Sequence, residues 1–153
     1  MKAPQLIGLM TLGLVLVLSV SAAAAQPADA RPRAMAAEIL KATGVRGGLV
    51  VHLGCGDGRL TAALRASDSY LVHGLDADAR SVENARDHIR SLGLYGPVCV
   101  DSLRGERLPF IVNTVNLLVA EDLGRIAMAE VRRVLAPNGV AYTSIGRTWM
   151  KNE

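Results

Sequence analysis

Residues 48–64, GLVVHLGCGDGRLTAAL, hold the pattern on which the fold turns. Leu49 to Leu53 is apolar at every position except His52, as a strand buried on both faces would be. It runs into Gly54, Gly56 and Gly58, and a helical spacing follows from Leu60 to Ala66. Glycines there let the backbone turn sharply and approach a ligand with no Cβ in the way. A dinucleotide fingerprint would place its third glycine where Arg59 stands, and no Gly-Lys-Ser/Thr follows as a phosphate-cradling loop requires. By itself the glycine trio also suits a tight strand-to-helix turn built for steric reasons.

The same alternation continues outward. Upstream, Ala34 to Thr43 has helical spacing and meets Gly44, suited to a left-handed cap. Downstream, Tyr70 to Leu75 reads as a second strand. Arg80 to Leu92 reads as an amphipathic helix, with Val82, Ala85, Ile89 and Leu92 on one stripe and Gly93 as its stop. Pro97 to Val100 and Val115 to Ala120 are further strands. Ile126 to Leu135 is a helix broken by Pro137-Asn138-Gly139, and Val140 to Ile145 is a fifth strand. Strands and helices in turn need parallel pairing and right-handed crossovers, so the expected fold is α/β, a doubly wound, mostly parallel, Rossmann-like sheet of about five strands. Ligands of such sheets bind beyond the carboxyl ends of the strands at the switch point, where the glycine loop falls.

A chain of 153 residues allows one domain of normal size. Half the residues are hydrophobic but aromatic residues are few, so the core is expected to be aliphatic. The net charge of +3 is small, and no basic cluster is interleaved with aromatics, so there is no nucleic-acid signature. Lys2, the apolar run Leu6 to Val20 and the small residues Ser21 to Ala25 read as a signal peptide cleaved before Gln26, or as an uncleaved membrane anchor. Residues 26–33 then form a linker and residues 34–153 the domain, which lies outside the cytoplasm in either case (periplasm or cell envelope). Cys55 and Cys99 have no metal-site spacing; the expectation is two buried free thiols, with a bridge left open.

Asp76 ends the second strand twenty residues after Gly56, placed to accept hydrogen bonds from both hydroxyls of a ribose. Asp78 suits the N-cap of the next helix. With these residues in view, HLGCGDGRLTAAL, GLDADARSVENAR and EVRRVLAPNGVAYTSI resemble, in order and spacing, the class I S-adenosylmethionine-dependent methyltransferases, over roughly residues 34 to 146. The resemblance implies S-adenosylmethionine as cofactor and methyl transfer to an acceptor, small molecule or protein, that it does not identify. It implies that His52, Gly54, Cys55 and Gly56 line the methionine part, Asp76 the ribose, and Asp101 with Ser102 the adenine. Asp101 has a second reading as a polar strand-end residue. Beyond the fourth strand, Glu121 and Asp122 are the carboxylates placed to orient an acceptor or take its proton, and otherwise a solvated turn.

The sequence departs from the family pattern at several points. His52 stands where an acid is usual, which should weaken the hold on a cationic methionine end; a buried, satisfied histidine is its other reading. Asn116 and Asn138 also replace common residues. The usual antiparallel hairpin of two strands after the fifth is not expected here, which would leave a sheet edge for a partner or a further domain to cover. An exported chain would also be separated from a donor made in the cytoplasm. A second function is therefore carried: a non-catalytic methyltransferase-like module of the cell envelope, similar to methyltransferase-like regions that precede a β-propeller in exported bacterial proteins. An NAD-dependent oxidoreductase is disfavoured by Arg59.

Overall fold

The computed structural model describes residues 29–143 and the backbone of residues 149–151. Strands β1 (Gly48–Leu53), β2 (Tyr70–Asp76), β3 (Val98–Ser102), β4 (Val115–Ala120) and β5 (Leu135–Thr143) pair in parallel, in the order β3-β2-β1-β4-β5. Helix α1 (Ala30–Thr43) precedes them, and α2 (Arg59–Leu64), α3 (Ala79–Ser91) and α4 (Met128–Val134) alternate with them. This is the doubly wound α/β sheet that the alternation predicts. The chain order reverses between β1 and β4, so the carboxyl ends of these two strands flank the switch point.

Period-two alternation divides each strand between two cores. Val50, Val72, Val98, Val100, Leu117 and Val119 face α1, α2 and α3, where Ile39, Leu64 and Ile89 are sealed against them. Val51, Leu53, Leu75, Leu118 and Ala141 face the other way, toward Val131 and Val134 of α4 and toward Leu108 and Ile126. The core is aliphatic, and Tyr70 is its one buried aromatic residue among those described. Asp78 caps α3, accepting hydrogen bonds from the Arg80 and Ser81 N–H groups, which is why that helix begins where its sequence indicates.

Four features differ from the expectations. Helix α1 starts at Ala30, so residues 30–33 of the expected linker are helical. Pro32 lies in its first turn, where backbone N–H groups have no intrahelical acceptor and proline costs nothing. Strand β5 starts at Leu135, because Pro137 to Gly139 form an irregularity inside the strand and not a break before it: the register on β4 shifts between Val115 and Leu117, and Asn138 has φ 61°. A short antiparallel strand, β6 (Trp149–Lys151), pairs with β5, so the edge expected to stand open there carries a further strand. Cys99 is only partly buried, its thiol on the Gly96 carbonyl at 3.0 Å, while Cys55 is buried; both are free thiols. The leader of residues 1–25 and the expected end of the fifth strand at 144–145 lie outside the described residues. No helix among the described residues is long and apolar enough to cross a membrane.

Candidate functional site

The loop after β1 is tied to the sheet before it meets any ligand. Gly54 N donates to the Leu75 carbonyl at 2.8 Å, and Gly58 N donates back to the Cys55 carbonyl at 2.9 Å. Gly54 and Gly56 have φ of 72° and 52°, and a Cβ on either would meet nothing within 4 Å, so their bare backbone faces open space. Gly58 is glycine for the opposite reason: a Cβ there would lie 2.8 Å from Ala85 of α3.

Two clefts open on either side of this loop, and Gly54 belongs to both. The first, of about 300 Å³, is lined by His52, Gly54, Cys55, Gly56 and Glu121, with Arg31 and Met35 of α1 above them. The second, of about 350 Å³, lies between Leu53, Asp76 and the segments after β3 and β4, including Leu103, Gly105, Asp122 and Ile126. Asp76 joins the two: it lines the second, and its Oδ2 accepts the Gly56 N–H at 2.9 Å while Oδ1 accepts the Asp78 N–H at 3.0 Å. Each oxygen thereby keeps a lone pair for a further donor.

His52 is buried, with Nδ1 2.8 Å from Thr61 Oγ1 of α2. Burial lowers its pKa to about 4 against the opposing pull of Asp76, so the ring is neutral at pH 7. Burial, with the Asp76 charge adding to it, pushes the Cys55 thiol up to about 12, which removes it as a nucleophile at neutral pH. Among the described residues no group of three or more His, Cys, Asp or Glu is placed to hold a metal ion.

The structure brings His52, Gly54, Cys55, Gly56 and Glu121 to one cleft, and Gly54, Asp76 and Asp122 to the other. Asp122 also accepts the Gly124 N–H at 2.9 Å, which shapes the turn after β4. Asp101 and Ser102 line neither cleft. Asp101 is exposed and held by His73 at 3.0 Å and Arg86 at 2.7 Å, while Leu103 and Gly105, just beyond it, form the wall. Thr61 escaped the sequence reading, because one threonine inside a short helix gives no sign of the strand residue it meets. Leu103 and Gly105 escaped it too, since an apolar residue and a glycine just past a strand carry no chemical signal of their own.

An adenosyl group carrying an amino-acid tail needs a carboxylate for its ribose, room beside a bare backbone and a further cleft for its tail. The group fits: a carboxylate with free lone pairs stands at one cleft, the Cβ-free loop crosses the middle, and the other cleft, with Arg31, His52 and Glu121 in a largely apolar wall, lies beyond.

Residues 50–139 match the methyltransferase domain family. No curated protein matches the sequence. Among solved structures, geranyl diphosphate C-methyltransferase from Streptomyces coelicolor A3(2), in complex with Mg2+, geranyl diphosphate and S-adenosyl-L-homocysteine, has a TM-score of 0.65 at 20% identity, over 72% of this chain and 44% of its own. A SAM-dependent methyltransferase from Aquifex aeolicus has a TM-score of 0.58 at 21% identity, over 71% of this chain and 62% of its own. The [4+2]-cyclase SpnF has a TM-score of 0.65 at 22% identity, over 72% of this chain and 43% of its own. The chain thus spans about half the length of the solved structures it resembles. At such identities the likeness shows the fold, and the cyclase among them is a reminder that one fold carries several reactions.

Proposed function

The chain belongs to the class I S-adenosylmethionine-dependent methyltransferase family, whose cofactor is S-adenosylmethionine, and we propose that it binds this cofactor across the carboxyl edge of its sheet and transfers the methyl group to an acceptor. Asp76 would receive the ribose hydroxyls on the lone pairs left by Gly56 and Asp78. Leu103 and Ile126 would close on the adenine, and the backbone of Gly54 to Gly56 would run beside the methionine tail. When bound, the sulfonium supplies an electrophilic methyl carbon. The chain's own part is to hold the partners in line, exclude water with Met35 and Leu60, and orient or deprotonate the acceptor through Glu121, with Asp122 setting the turn beside it.

The observation that carries this reading is the Asp76 carboxylate, braced by two backbone N–H groups at the junction of two clefts. Calorimetry on the full chain with S-adenosylmethionine, S-adenosylhomocysteine and NAD tests it. Micromolar binding of the first two and none of NAD is expected, weakened at least about tenfold in Asp76→Asn, which loses the charge that receives the ribose. Silence with all three on a folded sample would sink the reading.

His52 in place of an acid, and the apolar leader, favour the second reading, a non-catalytic module of the cell envelope. Export is itself part of this proposal. An alkaline phosphatase fusion after residue 153 that stays inactive in bacteria would refute export.

A further inference from the structure

Thr61 is fully buried, so no water reaches its hydroxyl. Among the described residues that hydroxyl has one hydrogen-bonding partner, the Nδ1 of His52 at 2.8 Å. A hydroxyl has a single proton to donate, and a buried donor left without an acceptor is costly and rare. Were Nδ1 to carry the ring hydrogen, the Thr61 proton would face nothing. Nδ1 is therefore the bare acceptor, and the hydrogen of the neutral ring sits on Nε2. Among the described residues Nε2 has no acceptor, yet it is not sealed in: the one buried, partnerless side-chain nitrogen or oxygen among them is Arg65 Nε. His52 lines the first cleft, so its Nε2–H is offered there.

We propose that His52 is a fixed hydrogen-bond donor at the tail end of the cleft, so that this chain recognises 5′-thioadenosine ligands by a carboxylate in the tail and not by an ammonium group. The inference rests on the adenosyl-binding reading above and reverses the polarity of the wall. An acid at this position would accept from an ammonium; an Nε2–H has no lone pair to offer one, and it matches an anionic oxygen. The other charges that line the cleft are of both signs. Arg31 adds a cation, while Asp57 is engaged by Arg59, which also pairs with Asp29. Glu121 stands on the same wall and is the one lining carboxylate besides Asp57.

The test is a titration of the full chain with S-adenosylhomocysteine, its decarboxylated analogue and its deaminated analogue, beside nitrogen-15 NMR of the His52 ring. Losing the carboxylate should weaken binding roughly ten- to a hundredfold, and losing the amino group less than about threefold. His52→Asp should invert that order, and Thr61→Val, which keeps the shape and lets the ring hydrogen move, should erase it. The ring should show a protonated Nε2 and a bare Nδ1 at pH 7. Equal losses from both deletions, a larger loss from the amino group, or a hydrogen found on Nδ1 would overturn this inference while leaving cofactor binding intact. Binding of none of the three compounds would overturn both, whatever the ring spectrum shows.

Discussion

Acidification should strip this fold of a stabilising contribution held in one side chain, His52. The unfolded imidazole titrates near 6.5, and burial lowers the folded one to about 4, so between those values the unfolded chain binds a proton that the folded chain does not. Stability therefore rises with pH across that window, is fully present above about 6.5, and is lost as pH falls toward 4. At roughly 1.4 kcal/mol per pH unit the whole loss is about 3 kcal/mol, of which about 2 kcal/mol is gone by pH 4.5. A change of that size is a large share of a small domain's stability. Urea unfolding of wild type and His52→Asn at pH 7 and pH 4.5, at constant ionic strength, measures it. The asparagine keeps an acceptor for Thr61 and cannot titrate, so the pH-dependent difference between the two proteins isolates this ring from the other histidines and the carboxylates. Wild type should lose about 2 kcal/mol more than the variant. Parallel losses, or a His52 ring proton titrating near 6.5 by NMR, would refute the reasoning.

Three further outcomes are expected. Gly58→Ala combines a left-handed φ of 77° with a Cβ 2.8 Å from Ala85, and should cost about 2–4 kcal/mol in chemical denaturation; a loss under about 0.5 kcal/mol would show that the loop relaxes freely. Cys55, buried and with its thiol pushed up to about 12, should resist iodoacetamide in the folded chain at pH 8 while the partly exposed Cys99 is labelled, as read by peptide mass spectrometry. Glu130 is held at about 2 first by hydrogen bonds from Arg133, and the same carboxylate receives the Leu108 N–H at 2.8 Å. Arg133→Met should return Glu130 to the ordinary carboxylate range by NMR titration and loosen the loop before β4, seen as faster amide exchange at Leu108.

Much of the fold was legible because it is written in local periodicity. The apolar run before Gly54, the stripe Val82-Ala85-Ile89 and the capping Asp78 each act within a few residues, and each element appears close to its expected place. The glycine loop and Asp76 were legible for a related reason, since a strand end and the turn after it are set by neighbours in the chain. Legibility failed where partners are distant in sequence. The irregularity that keeps Pro137 to Gly139 inside β5 depends on the register against Val115, and β6 exists only through pairing with β5. The two partners of Asp101, His73 and Arg86, come from another strand and another helix, and its own place in the chain does not announce them.

His52 marks the boundary most sharply. Its presence before the glycines, and its departure from an acid, are visible in a single line of residues. Whether it is charged, which nitrogen holds the hydrogen and what that nitrogen faces follow from a threonine nine positions away, a sealed core on one side and an open cleft on the other. Chain order dictates which elements form, because their forces act between near neighbours. Protonation, tautomer and the direction of a hydrogen bond come from desolvation and from contacts closed across the sheet, and those arise only when distant segments meet.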